Sequence, residues 1–313
     1  MKQFICPLCG SDESSLFLQI DTHIRLSQCC RCGLVSVYPM PNIEENISSY
    51  VDGAMVIPNS AYCRHNKSIL KIINPFIKKG RMIDIGSWDG SFLEIARHNG
   101  WEVVGVDLNA EMCQAVERGK GIKMISGDAK DALDLYGADS FDVCTLFHVI
   151  EHLSEPLKDI RSMYSLLRPS GLLVVRTPNI DSIIFELLGR HWGHLALPAH
   201  VLFFSPVTLR AVLEKNGFEV LYMQTWTSPI ANEIYELLKG IIKILTLRKH
   251  IDNSESVTIQ RQYINKLVNK SNLVKIIFNK VTMPVYYILY PLWKYYEKRG
   301  RGTEIFVISR KIK

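Results

Sequence analysis

No run of apolar residues in this chain is long enough to cross a bilayer. The longest uncharged apolar stretch, Val281 to Trp293, lies between Lys280 and Lys294 and carries Pro284 and Pro291, whereas a spanning helix takes roughly 20 residues. The opening MKQFICPLCG also lacks the apolar segment of a secretory signal, so a cytoplasmic protein is expected, with peripheral contact at the inner membrane face as the further alternative. Acidic residues are scarce at one end. From Lys239 to Lys313 there are 4 against 16 basic ones, while the preceding residues hold 27 acidic and 21 basic. That asymmetry, under a net charge of +6, points to an anionic surface or substrate near the C-terminus, or to a solvated helical face. The rest of the composition, 47% hydrophobic and 22% charged in 313 residues, suits a globular chain with one large domain or two modest ones.

Cysteine is present but unevenly placed: five of the eight fall within the first 32 residues. Cys6-Pro7-Leu8-Cys9-Gly10 and Cys29-Cys30-Arg31-Cys32-Gly33 are two C-x-x-C-G knuckles. Each bends two thiolates toward one point, and the following glycine permits the positive φ of the turn. Cys6, Cys9, Cys29 and Cys32 together make a closed tetrahedral sulfur shell that suits structural Zn²⁺. Two disulfides are the alternative, and they need an oxidising compartment. Cys30 is the spare thiol, and Cys63, Cys113 and Cys144 read as core residues.

From Arg81 onward strand and helix patterns alternate. Strands are expected at Met82–Ile85, Glu102–Asp107, Ile122–Ser126, Phe141–Leu146 and Gly171–Arg176. Helices include Pro156–Leu167, stopped by Arg168-Pro169-Ser170-Gly171, and Leu209–Asn216, closed by Gly217. Two late strands, Phe218–Met223 and Glu304–Ser309, flank a long helical insertion. Such alternation predicts a mostly parallel sheet covered by helices. The segment RMIDIGSWDGSFLEIA has the strand, glycine turn and helix order of a nucleotide site, but Trp88 stands where such loops usually carry glycine. Asp107 ends the second strand, where a carboxylate can accept from both ribose hydroxyls. Asp128 follows the third, within reach of an adenine amino group. Each is also readable as a strand-end cap, but with Asp84 they recur in the order a nucleoside needs.

Asp84-x-Gly86-x-x-x-Gly90, Asp107, Gly127-Asp128-Ala129, FDVCTLFHVIEHLSEP and LLRPSGLLVVRTPN together resemble a class I S-adenosylmethionine-dependent methyltransferase. The likeness runs from about Ala61 to Phe218 and resumes at the final strand. It implies a Rossmann-like α/β fold with the last strand antiparallel, Gly86 and Gly90 near the methionine part, Asp107 on the ribose and Asp128 facing adenine. Leu108, Ala129 and Phe147 complete the implied cofactor set. NAD fits less well, because Gly86-x-x-x-Gly90 is not its G-x-G-x-x-G spacing. Trp88 is expected to have negative φ, with its ring turned outward.

After the fourth strand, His148, Glu151 and His152 fall at i, i+3 and i+4, which on a helical turn places them on one face. RHWGHLALPAHVLFF then adds His191, His194 and His200. The stretch is similar to the E-V-x-E-H of ubiquinone-biosynthesis O-methyltransferases and to the E-x-x-E-H of small-RNA 3′-terminal 2′-O-methyltransferases, where the cluster is associated with a metal ion. Here His148 replaces the first Glu, which disfavours Mg²⁺. A second divalent metal, a metal-free histidine base at His148 helped by Glu151, His152 and His200, and a structural pair all stay open.

The domain division read from sequence is a zinc ribbon over 1–40, a linker and leading helix over 41–80, the methyltransferase domain over 81–225 plus 303–313, and a helical insertion over 226–302. Tyr, Trp and Lys crowd the insertion, as a cap over the substrate mouth or as a surface for anionic lipid. A ribbon, this core and such an insertion resemble methyltransferases of surface-polysaccharide and glycolipid synthesis. The resemblance implies O-methylation of a sugar hydroxyl on a small-molecule or lipid-linked glycan precursor. A small phenol or quinone-type acceptor, an RNA 2′-hydroxyl and a non-catalytic cofactor-binding module are the alternatives. Nucleic acid is disfavoured because the basic region is richly apolar.

Overall fold

The computed structural model describes residues 3–41, 60–227 and 288–312. Three short antiparallel strands come first, β1 (Ser14–Gln19), β2 (Arg25–Cys29) and β3 (Val35–Tyr38). After α1 (Ser60–Ile73) the chain alternates through β4 (Arg81–Ile85), α2 (Ser91–His98), β5 (Glu102–Asp107), α3 (Ala110–Lys120), β6 (Lys123–Ser126) and α4 (Ala129–Tyr136). It continues through β7 (Phe141–Phe147), a single 3-10 turn at Ile150–His152, α5 (Pro156–Leu166) and β8 (Leu167–Pro178). Then come α6 (Ile183–Leu188), the two-residue β9 (Leu202–Phe203), α7 (Pro206–Lys215), β10 (Phe218–Trp226), a helix α8 over 288–297 and β11 (Glu304–Lys311).

Seven strands form the central sheet in the order β10-β11-β8-β7-β4-β5-β6. The pairs β8-β7, β7-β4, β4-β5 and β5-β6 are parallel, and β11 runs antiparallel between β8 and β10. The fold is therefore the expected Rossmann-like α/β sheet. Helices cover both faces, so strand residues alternate between two apolar layers. Ile83, Ile85, Val104, Val106, Cys144 and Leu146 face one layer, and Met82, Val103, Val143 and Val174 face the other. Burial on both sides is why these strands read as unbroken apolar runs, at about 1.5–3 kcal/mol per large side chain removed from water.

Order along the sheet decides where a ligand can sit. The chain moves outward from β4 through β5 to β6, then returns to the other side of β4 with β7. That reversal leaves a crevice beyond the C-terminal ends of β4 and β7, the general ligand position in open α/β sheets.

The small N-terminal sheet is docked on this core. β3 pairs with β9 through Val35↔Phe203 and Ser36↔Leu202, and the Val37 N–H donates to the Val201 carbonyl at 3.0 Å. Cys6, Cys29 and Leu34 share an apolar cluster with Leu209 and Val212 of α7. Cys113 and Cys144 are buried as expected, and the Cys63 side chain lies outside the described residues. So do 42–59 of the expected linker and 228–287 of the expected insertion. In α8, Trp293 is buried in a cluster with Val35, Val37, Ile184 and Trp192. No described helix is long and apolar enough to cross a membrane.

Several elements are longer than their sequence patterns. β8 starts at Leu167, directly after α5, and not at Gly171, because Leu167 already pairs with Phe141 and Arg168 forks onto Asp142 at 2.9 and 3.0 Å. β10 continues to Trp226, where the Trp226 Nε1–H donates to Glu304 at 3.1 Å. Glu304 also receives a two-pronged bond from Arg176, at 2.9 and 3.1 Å, with both side chains nearly excluded from water. A buried pair of this kind gains little over an apolar pair, yet removing one partner strands the other charge. Glu304→Ala is therefore expected to lower unfolding free energy by about 3–5 kcal/mol, read from the urea midpoint, with the paired Arg176→Met/Glu304→Leu protein losing much less.

Candidate active site

The crevice is a cleft of about 280 Å³. Gly86, Asp107, Leu108, Asp128, Ala129 and His152 line it, with Ile85, Leu146 and Val149 as floor and Lys158, Asp159 and Met163 of α5 as the far wall. Five of the eight expected cofactor residues are thus brought together. Asp84, Gly90 and Phe147 do not line the cleft. Asp84 is buried beneath it, accepting a 2.6 Å hydrogen bond from Thr145 Oγ1, and burial with the nearby Asp107 charge raises its carboxyl to about 7. Gly90 caps α2 at φ 66 with Val116 against its Cα, where a Cβ would come within 2.9 Å of a methyl group. Phe147 packs edge-on against Phe92 at 4.9 Å.

The glycine loop is tied down by Asp107. Its Oδ2 accepts the Trp88 N–H at 2.8 Å and its Oδ1 the Asn109 N–H at 2.9 Å, while burial pushes the carboxyl up. Gly86 has φ 72 and Trp88 φ 47. The negative φ expected for Trp88 is thus overturned: the residue sits in the left-handed region, while its N–H donates to Asp107. Strain of this sort costs about 1–3 kcal/mol and persists only where surroundings enforce it. Asp128 caps α4, its Oδ1 taking the Lys130 and Asp131 N–H groups at 2.7 and 3.1 Å. The cap reading and the cleft-lining reading both hold.

The histidines are arranged differently from the shared helical face expected. His148 has φ 56 and precedes the 3-10 turn, so its ring swings away from His152. It lies between two carboxylates, Nδ1 3.3 Å from Glu151 and Nε2 3.4 Å from Glu304. Burial and the Arg176 guanidinium push this imidazole down, but Glu151 and Glu304 prevail and raise it to about 8. Held between two carboxylates and off the lining of the cleft, His148 is less well placed than His152 to meet a bound ligand. His152 and His200 instead meet edge to face at 4.6 Å. Burial lowers both, His200 to about 3. Their Nδ1 atoms face the Ala199 and His194 carbonyls at 2.9 and 2.7 Å; a carbonyl only accepts, so Nδ1 carries the proton and Nε2 is the basic atom.

Glu151 joins the two groups. Its Oε2 accepts from Thr177 at 2.9 Å, and the buried Oε1 has no hydrogen bond of good geometry. Ligand atoms of Glu151, His152 and His200 lie within 4.8 Å of one another, so these three fit a divalent ion and His148 stands outside the set. The second candidate metal set is Cys6, Cys9, Cys29 and Cys32, also within 4.8 Å. Its Cys6–Cys32 and Cys9–Cys29 sulfurs are 3.5 Å apart, against a tetrahedral Zn–S₄ edge of about 3.8 Å. Cys30 is exposed outside it.

Residues 60–223 match the family model described as methyltransferase domain. The chain belongs to the methyltransferase-domain family. Among curated relatives, this methyltransferase is 25% identical over 150 residues to the ubiquinone biosynthesis O-methyltransferase of Aliivibrio fischeri, covering 44% of this chain and 64% of that one. It is 29% identical over 172 residues to the ubiquinone biosynthesis O-methyltransferase of Vibrio campbellii, covering 51% and 73%. The first of these alignments thus spans under two thirds of the relative's length. Its fold is shared with a SAM-dependent methyltransferase from Archaeoglobus fulgidus, at TM-score 0.50 and 21% identity over 81% of this chain and 95% of that one.

Arg176, Thr177, Glu304 and Asp159 escaped the sequence reading. Arg176 had a signal, a charge directly after the apolar run Leu172–Val175 of β8. In this methyltransferase, Asp107→Ala is expected to weaken S-adenosylhomocysteine binding by about 1.5–3 kcal/mol, the worth of hydrogen bonds to a charged group. Trp88→Gly keeps the N–H that Asp107 holds and should retain binding. Calorimetric titration checks both, and loss of binding in Trp88→Gly would contradict this assignment of the loop.

Proposed function

We propose that the protein transfers the methyl group of S-adenosylmethionine to a hydroxyl oxygen, with His152 as the group that takes the proton. The observation that carries this reading is His152 on the cleft wall with its basic Nε2 set by the Ala199 carbonyl. When bound, the cofactor supplies a methyl on a positive sulfur. With that donor and a hydroxyl acceptor in the cleft, His152 Nε2 would take the hydroxyl proton as the oxygen is methylated. Asp107 would hold the ribose, and Leu108 and Ala129 would flank adenine. Glu151 and His200 would orient His152; alternatively a divalent ion held by Glu151, His152 and His200 would occupy His152 Nε2 and itself lower the hydroxyl pKa, in place of the base. The Cys6, Cys9, Cys29 and Cys32 set holds structural zinc.

The names of the relatives support a phenol or quinone-type hydroxyl as acceptor. A sugar hydroxyl on a glycan or lipid-linked precursor is the second reading, favoured by the N-terminal module and the residues between β10 and β11, both outside the matched segment. Transfer of labelled methyl to catechols against sugar nucleotides separates the two.

General-base help is worth about 10²–10⁴ in rate, so His152→Ala should lower kcat by that order with little change in cofactor affinity. His148→Ala should act mainly on stability through Glu151 and Glu304. Unchanged kcat in His152→Ala would reject the base. Elemental analysis is expected to find zinc released by Cys29→Ser and kept by Cys30→Ser.

A further inference from the structure

The segment between α6 and β9 sets the proton on His152, and it is anchored from the N-terminal module. Its Ala199 carbonyl faces His152 Nδ1 at 2.9 Å, and its His200 ring meets His152 edge to face at 4.6 Å. The next residue, Val201, is tied on both sides. Its N–H donates to the Glu151 carbonyl at 2.9 Å, and its carbonyl accepts the Val37 N–H of β3 at 3.0 Å. Pairing continues through Ser36↔Leu202 and Val35↔Phe203. Val201 and Leu202 are buried, so no water replaces a lost partner there.

β3 leaves directly from the second cysteine knuckle. Cys29 ends β2, its N–H donates to the Leu34 carbonyl at 2.9 Å, and the Gly33 N–H returns to the Cys29 carbonyl at 3.0 Å. Strands of 6, 5 and 4 residues enclose too little apolar surface to fold unaided, and in modules of this size metal binding and folding are one equilibrium. A metal on the four cysteines therefore fixes β3, and β3 fixes Val201. The cofactor cleft shares only His152 with this chain of contacts, because its lining residues all lie between Ile85 and Met163.

We infer that the cysteine module is a positioning element for His152, with Val37 and Val201 as the residues that transmit it. Zinc in the knuckles holds the Ala199 carbonyl against His152 Nδ1 and so keeps Nε2 the basic atom. The inference rests on zinc in this set and on His152 as the proton acceptor.

Four measurements on the full chain test this: zinc content, amide hydrogen exchange at Val201, S-adenosylhomocysteine affinity, and ring ¹⁵N NMR of labelled histidine, with His152→Ala identifying the His152 signal. Wild type should show slow exchange at Val201 and one His152 tautomer, protonated on Nδ1. Val37→Pro lacks the N–H that Val201 accepts but leaves all four cysteines, so zinc should stay, whereas Cys29→Ser should release it. In both, Val201 exchange should quicken at least about tenfold, and His152 should become a mixture of tautomers. S-adenosylhomocysteine affinity should stay within about twofold, since the cleft lining is separate. Val37→Ala keeps the N–H and should behave as wild type. A single His152 tautomer with slow Val201 exchange in zinc-retaining Val37→Pro would overturn the inference. So would loss of S-adenosylhomocysteine binding in both variants, which would make the module a support for the whole fold. A wild-type His152 protonated on Nε2 would instead overturn the base, leaving Val201 exchange to decide the coupling.

Discussion

The Asp107 carboxylate joins the sheet to the cleft. It ends β5, it is nearly excluded from water, and its two oxygens hold Trp88 of the glycine loop and Asn109 at the cap of α3. A buried carboxylate is tolerated only when it is well hydrogen-bonded, so the loop and the helix start are drawn to it. Trp88 makes this bond with a left-handed backbone. A loop with tryptophan in place of the middle glycine keeps the nucleotide-binding path because a single acceptor on the neighbouring strand enforces it.

A second constraint shapes the reactive end. His148 is caught between Glu151 and Glu304, with Arg176 neutralising the outer carboxylate. His148 and its pairing with Glu151 fix the 3-10 turn so that His152 looks into the cleft. His200 reaches it from a segment held on both sides: the Val201 N–H donates to the Glu151 carbonyl at 2.9 Å, and the Val201 carbonyl accepts from Val37 of the N-terminal sheet. The cysteine-bearing module is thereby one residue removed from the site. Its sheet extends to β9, immediately after the loop that carries His200.

The alternation of elements and the two acidic cleft residues were legible because they rest on local pattern, apolar runs of strand length and carboxylates at strand ends, whereas Gly86, Leu108 and Ala129 were implied by the family resemblance. Asp107 and Asp128 could be placed from strand ends alone. His148 could not. Its spacing to Glu151 and His152 implies a helical face only if the helix begins at His148, and the backbone there is left-handed. The Glu304 carboxylate that its ring meets is 156 positions along the chain, a separation that no local pattern bridges. Trp88 was misjudged as well, because its left-handed φ goes against the ordinary preference of a tryptophan and no local pattern announces it.

A crystal structure with bound S-adenosylhomocysteine tests the account most directly. The account places the ribose hydroxyls on Asp107, adenine between Leu108 and Ala129, and the sulfur on the side of the cleft nearest His152. A ligand at saturating concentration that lies outside this cleft, or whose sulfur points away from His152, would contradict it.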